Sequence, residues 1–133
     1  MNFIICPVRN CIELTQIAVK SFLSQDIGEV KVILVDNDST DAIGVWARAQ
    51  DNVFHVYHSP QIGVSKAWNL GLKYVFETVT EPYALVANND VMLRDDFYRM
   101  LVEHGGGFVS GMTVEKEEEL DGIARVSKHP DFS

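Results

Sequence analysis

Apolar residues arrive in short runs separated by stretches of helical spacing, and the two patterns alternate along the chain. Asn2–Pro7 is a brief apolar run with β-branched residues and predicts a first strand. Asn10 followed by Glu13 has the form of a capping box, which predicts a helix opening near Cys11. Leu14, Ile17, Ala18 and Phe22 form its expected buried stripe, and Asp26-Ile27-Gly28 breaks it. Val30–Val35 reads Val-Lys-Val-Ile-Leu-Val, the nearly continuous run of a strand covered on both faces. Ser39, Thr40 or Asp41 can cap a second helix with Ile43, Trp46 and Ala47 on its inner face. Asn52–His58 alternates and predicts a third strand, and Gly63–Thr78 a third helix buried through Trp68, Leu72, Val75 and Phe76. Tyr83–Ala87 is a fourth strand. Asp95–His104 is a short helix using Phe97, Met100 and Leu101, ended by Gly105-Gly106-Gly107, and Phe108–Val114 is a fifth strand. Beyond Gly122 no period is visible.

Strand and helix in alternation imply an α/β fold with an open, mostly parallel sheet and helices on both faces. At 133 residues the chain is expected to form one domain, 1–133. The apolar runs are too short to cross a bilayer, and the N-terminus has no basic region leading into a long apolar stretch, so a cytoplasmic chain is expected. Cys6 and Cys11 lack the second pair that a zinc site needs, and read as reduced thiols. His55 and His58 stand three apart on a strand and so point to opposite faces. A net charge of −8 argues against nucleic-acid binding, which needs a basic face. It leaves room for a local cation, and for a divalent metal bridging to an anionic ligand. The run Glu115–Asp121 reads as a solvated loop or exposed helix end.

In open α/β sheets ligands bind beyond the carboxyl ends of the strands, so the residues after each strand carry the candidate chemistry. These are Pro7-Val8-Arg9-Asn10, then Asp36 to Asp41, then Ser59 to Lys66, then Asn88-Asn89-Asp90. Asp36 can accept from a base N–H or a ribose hydroxyl; equally, Asp36 or Asp38 can cap a helix or shape a turn. Gly63 allows a close backbone approach or a tight turn. Lys66, near a helix N-terminus, can meet a phosphate or stay solvated. Asp90 can hold Mg²⁺ or Mn²⁺ with diphosphate oxygens completing the shell, or open an Asn-Asp turn.

Together these segments resemble family-two glycosyltransferases of the GT-A fold, over roughly Asn2 to Val114. The family's opening strand and Pro-Thr-Tyr-Asn correspond to Ile4-Ile5-Cys6-Pro7-Val8-Arg9-Asn10. Its Val-Asp-Asp-Gly-Ser-Thr-Asp corresponds to Val35-Asp36-Asn37-Asp38-Ser39-Thr40-Asp41. Gly-Val-Ser-Ala-Ala-Arg-Asn-Leu-Gly corresponds to Gly63-Val64-Ser65-Lys66-Ala67-Trp68-Asn69-Leu70-Gly71, and the Asp-X-Asp region to Asn88-Asn89-Asp90-Val91. Each segment alone is weak; four in order at family-like spacing are specific.

The resemblance implies a Rossmann-like nucleotide-diphospho-sugar transferase fold and an inverting transfer from a nucleoside-diphosphate sugar to a saccharide or other hydroxyl acceptor. Pro7, Arg9 and Asp36 would line the nucleoside pocket, Asp38 would be a further substrate-binding residue, and Gly63, Ser65, Lys66 and Asn69 would lie along the nucleotide sugar. Asn88 and Asn89 would lie near the diphosphate or donor sugar, and Asp90 would hold Mg²⁺ or Mn²⁺. Asn37 replaces the second acid of the Asp-Asp pair, Asn88 the first of Asp-X-Asp, and Trp68 a common arginine. Asn-Asn-Asp and Val-Asp-Asn recur among rhamnosyltransferase-like members. The family's general base lies on a later segment, so the chain is expected to be a truncated, donor-binding part, with Asp131 the one terminal candidate. The alternative is a nucleotide-sugar-binding module without turnover. A nucleotidyltransferase would show a glycine-rich loop where Cys6–Cys11 has no glycine, and a response regulator needs an aspartate after strand three.

Overall fold

The structure, a computed structural model, describes residues 1–80 and 82–104, and the strands Val109–Gly111 and Val126–Lys128. Its elements are β1 (Asn2–Val8), α1 (Ile12–Leu23), β2 (Val30–Asn37), α2 (Ile43–Arg48), β3 (Val53–His58), α3 (Val64–Thr78), β4 (Tyr83–Val86), α4 (Phe97–Glu103), β5 (Val109–Gly111) and β6 (Val126–Lys128). The first four strands form one sheet in the order β3-β2-β1-β4, parallel throughout. β5 and β6 pair antiparallel, and β6 falls in the stretch where the sequence showed no period. The glycine run 105–107, the charge run 115–121 and Asp131 lie outside the described residues.

Side-chain alternation divides the core in two. Ile4, Cys6 and Val8 of β1 and Val30, Val32 and Leu34 of β2 join Ala18, Val19 and Phe22 of α1, Ile43 and Ala47 of α2, and Tyr98 of α4. Phe3 and Ile5, with Ile33 and Val35, join Ala67 and Val75 of α3. Helices therefore cover both faces, which is why β1 and β2 read as nearly continuous apolar runs.

Several expectations about the helices are corrected. The buried stripe of α1 is Thr15, Ala18, Val19 and Phe22, whereas Leu14 and Ile17 are exposed. The apolar residues of α1 exceed what one face can bury, and the small Thr15 and Ala18 allow the closer approach to the sheet. In α3 the buried positions are Ala67, Gly71 and Val75; Trp68 and Leu72 are partly buried and Phe76 is exposed. α4 buries Leu101 as expected, but with it Tyr98 in place of Phe97 and Met100, which are half-buried. The Tyr98 hydroxyl reaches the Phe3 carbonyl at 2.9 Å and its amide reaches Gln25 Oε1, so a polar tip fixes the helix rotation.

The capping box also fails. α1 starts after Cys11, which is left-handed (φ 60°) and makes no side-chain cap. Asn10 is left-handed too (φ 58°) and sends its side chain to the next loop. Asp41 supplies the missing acceptor across the gap, with Oδ2 taking the Ile12 amide at 3.2 Å and Oδ1 the Ile43 amide of α2 at 3.2 Å. One carboxylate thus caps two helices, where its negative charge meets the positive end of both dipoles.

Candidate functional site

The ladder between β1 and β4 ends early for a chemical reason. Its last paired residues are Ile5 and Val86, followed by the bond from the Ala87 amide to the Ile5 carbonyl at 2.9 Å. The next parallel bond would run from residue 7 to the Ala87 carbonyl, and Pro7 has no N–H to give. The Ala87 carbonyl is taken instead by the Trp68 indole N–H at 3.3 Å. The sheet therefore opens between β1 and β4, where strand order reverses, and such a switch point is the expected ligand crevice of an open α/β sheet. Pro7 itself is buried in β1 opposite Val35.

Asp36 and Asn37 are inside β2, not after it, paired with Tyr57 and His58. They point to opposite faces and do different work. Asp36 is only 2% exposed, and both of its oxygens have protein partners. Oδ1 accepts the Ser39 amide at 3.0 Å, and Oδ2 meets His55 Nε2 at 2.7 Å. Asn37, on the α3 face, accepts the Ile62 amide at 2.8 Å and donates to the Gly63 carbonyl at 3.3 Å. A carboxylate could not make that donation, so the amide that departs from the family's second acid ties the β3–α3 loop to β2.

Asp38 holds a left-handed backbone (φ 63°) where the resembling motif carries glycine, a conformation aspartate tolerates. Its Oδ1 accepts from the Tyr57 hydroxyl at 2.8 Å, and that bond to a carboxylate pushes the Tyr57 phenol up. Two loops are then laced together. The Asn10 amide donates to Ser39 Oγ at 2.8 Å, and Asn10 Oδ1 accepts the amides of Thr40 at 2.8 Å and Asp41 at 3.2 Å. Arg9 sits between Val8 and this lacing, exposed and with no side-chain partner among the described residues.

Gly63 is the N-cap of α3, with φ 80° and ψ 169°. A Cβ there would meet nothing within 4 Å, so the backbone angle and not crowding calls for glycine. Ser65, Lys66 and Asn69 follow on α3, all exposed and without side-chain partners among the described residues. Beyond β4, Asn89 donates to Thr15 Oγ1 of α1 at 3.1 Å, while Asn88 and Asp90 are exposed and without side-chain partners among the described residues. Burial drives the Cys6 thiol far up, and the Asp90 carboxylate adds to this.

All the candidate positions thus fall at the carboxyl ends of one parallel sheet, but with two different characters. Asp36, Asn37 and Asn89 are held by protein groups, whereas the side chains of Arg9, Ser65, Lys66, Asn69, Asn88 and Asp90 are exposed and have no partner among the described residues. Sequence reasoning missed His55, Tyr57 and Trp68 as partners of this edge. Alternation set His55 and His58 on opposite faces, but only the register of β3 against β2 sets His55 beside Asp36.

The family described as "Glycosyl transferase family 2" matches residues 3–111. No curated protein matches the chain. Among solved structures, the mannosyltransferase PcManGT from Pyrobaculum calidifontis in complex with GDP-Man and Mn²⁺ aligns with TM-score 0.65 and 21% identity, over 77% of this chain and 31% of that one. S. aureus TarS 1-349 in complex with UDP-GlcNAc aligns with TM-score 0.62 and 23% identity, over 77% and 31%. The same TarS piece in complex with UDP gives TM-score 0.62 and 21% identity, over 78% and 33%. The chain spans about a third of the length of these structures. The shared architecture is the GT-A fold.

Proposed function

The chain belongs to glycosyl transferase family 2, and from that premise we propose that it binds a nucleoside-diphosphate sugar in the opening between β1 and β4, as the donor-binding part of a transferase. The observation that carries this reading is the opening itself, made by Pro7 and flanked in the chain by Arg9 and by Asn88-Asn89-Asp90. Two cations without partners among the described residues, Arg9 and Lys66, stand at this edge of a chain whose net charge is −8. That local sign suits a diphosphate. The neighbours' donors, GDP-Man and UDP-GlcNAc, are of this class.

In this reading Pro7, Arg9 and Asp38 lie at the nucleoside, and Asp36 acts there by holding Ser39. Gly63, Ser65, Lys66 and Asn69 run along the nucleotide sugar. Asn88 and Asn89 lie by the diphosphate or donor sugar. Asp90 is the carboxylate for Mg²⁺ or Mn²⁺. Among the described residues no group of three His, Cys, Asp or Glu could hold a metal unaided. One exposed carboxylate with neighbouring amide oxygens instead fits a hard cation that takes its other oxygens from substrate phosphates. Such a metal supplies charge neutralisation for the leaving diphosphate. Transfer to a saccharide or other hydroxyl proceeds with inversion, with a carboxylate base receiving the hydroxyl proton. The triplet Asn88-Asn89-Asp90 favours the rhamnosyltransferase-like members.

Thermal shift with uridine, guanosine and thymidine diphosphate sugars, with and without Mn²⁺, tests the reading. A ligand present at a hundred times its Kd should add about 2.7 kcal/mol to stability. Melting temperatures unmoved by every donor, with or without metal, would sink it. With a bound donor, acceptor-dependent release of nucleoside diphosphate separates transfer from binding without turnover; we expect binding with little transfer from these 133 residues alone.

A further inference from the structure

A chain of side chains runs from the far edge of the sheet into the loop that carries Arg9. Arg48, on α2, approaches His55 Nδ1 at 3.3 Å. Guanidinium has only donors, so Nδ1 must accept and Nε2 carries the proton toward Asp36 Oδ2 at 2.7 Å. The His55 and Asp36 side chains are 7% and 3% exposed, which keeps water from substituting for either partner. Asp36 Oδ1 holds the Ser39 amide, and Ser39 Oγ holds the Asn10 amide, next to Arg9. α2 leaves room for the ring only because residue 44 lacks a side chain. A Cβ on Gly44 would lie 2.9 Å from His55 Cε1 and 3.2 Å from Nε2.

We infer that His55 is a positioning residue for the nucleotide: through Asp36 and Ser39 it sets the loop that presents Arg9 and Asp38. The inference rests on the proposed donor site for its binding readout and on the geometry alone for its spectroscopic one. Without the donated proton, Asp36 can swing away from Ser39, and the β1–α1 and β2–α2 loops lose their shared anchor. A purely structural histidine would predict that binding follows stability. A positioning histidine predicts that the two separate.

The test uses the whole chain, ¹⁵N-labelled, with three variants. His55→Gln places an amide N–H where Nε2 was, His55→Leu removes it, and Gly44→Ala pushes the ring while improving the helix propensity of α2. UDP and GDP, each with Mn²⁺, are titrated by calorimetry, and melting temperature and amide spectra are recorded in parallel. We expect His55→Leu to weaken binding about tenfold, as for one lost charge-assisted hydrogen bond, and His55→Gln to restore most of it. Gly44→Ala should weaken binding several-fold with little change in melting temperature, and should shift the Ser39 and Asn10 amides. The long-range ¹H–¹⁵N spectrum should show the Nε2–H form of His55. Wild-type affinity in Gly44→Ala with unmoved Ser39 and Asn10 amides overturns the inference, as does a His55→Gln variant as weak as His55→Leu. If the wild-type chain binds neither nucleotide, the donor-site reading falls and the amide shifts alone decide: moved in Gly44→Ala they uphold the relay, unmoved they refute it.

Discussion

Gly71→Ala probes how closely α3 lies against the sheet. Gly71 is the last residue of the Gly63–Gly71 segment and is buried. An added Cβ would sit 3.2 Å from Val35 Cγ2 and within overlap of Ile5 Cγ2. Ordinary carbon contacts fall at about 3.5–4.0 Å, so one side has to move. Ile5 cannot yield easily, because β1 has hydrogen-bonded strands on both sides and Ile5 is fully buried. Alanine favours a helix over glycine by about 1 kcal/mol, while forcing a methyl into a packed core typically costs about 1–3 kcal/mol. The clash should win in the upper part of that range, leaving a net loss of about 1–2 kcal/mol. For a domain of this size that lowers Tm by about 3–8 °C, readable by calorimetry or urea unfolding. Ile5→Ala removes the opposing methyl, costing about 2–5 kcal/mol by itself. Combined with Gly71→Ala it should cost less than the sum by at least about 0.5 kcal/mol. A variant melting at or above the wild type, or strictly additive double-mutant energies, would refute the close packing. α3 also carries Gly63, Ser65 and Lys66, so nucleotide affinity should fall along with stability.

Asp90→Asn should weaken Mn²⁺-dependent nucleotide binding more than Asn88→Ala does, because Asp90 is the only carboxylate of its triplet; equal effects in calorimetric titrations would contradict this. Asn10→Ala removes the acceptor for the Thr40 and Asp41 amides and should cost about 1–2 kcal/mol in urea unfolding. Trp68→Phe leaves the Ala87 carbonyl without its donor and should cost about 1 kcal/mol; no loss would mean that water replaces the indole. Cys11 is exposed and Cys6 buried, so a thiol reagent should label one cysteine in the folded chain and the second only on unfolding. Burial raises the Cys6 thiol and the Tyr98 phenol above their ordinary values. Above about pH 8.5 the unfolded chain therefore releases protons that the folded chain keeps, and stability should fall as pH rises. Cys6→Ala should flatten the first part of that fall, and an unchanged slope would count against it.

The order of strands and helices through α4 was legible in the sequence. That order rests on periodicity within ten or fifteen residues, and β1 and α3 were found to within one residue at each end, whereas β2 runs two residues past the expected Val35. Gly63 and the strand-end acids were legible for the same reason, since turns and strand ends carry local residue preferences. Which partner each polar group takes was not legible. Asn10 and Glu13 have the spacing of a capping box, yet the Asn10 side chain serves Thr40 and Asp41, thirty and thirty-one positions away. For Asp36 the sequence left a ligand acceptor and a cap or turn former equally open, and only β3 laid His55 against it. Leu14 and Ile17 satisfied the helical period, but the rotation of α1 on the sheet left them outside. Local spacing fixes which residues share a face. Register, helix rotation and the crossing of loops depend on contacts distant in the chain, and these decide which of several equivalent donors or apolar groups is buried. The opening at Pro7 draws on both: a missing N–H can be read from one letter, but it parts two strands only because the parallel ladder places that nitrogen opposite Ala87.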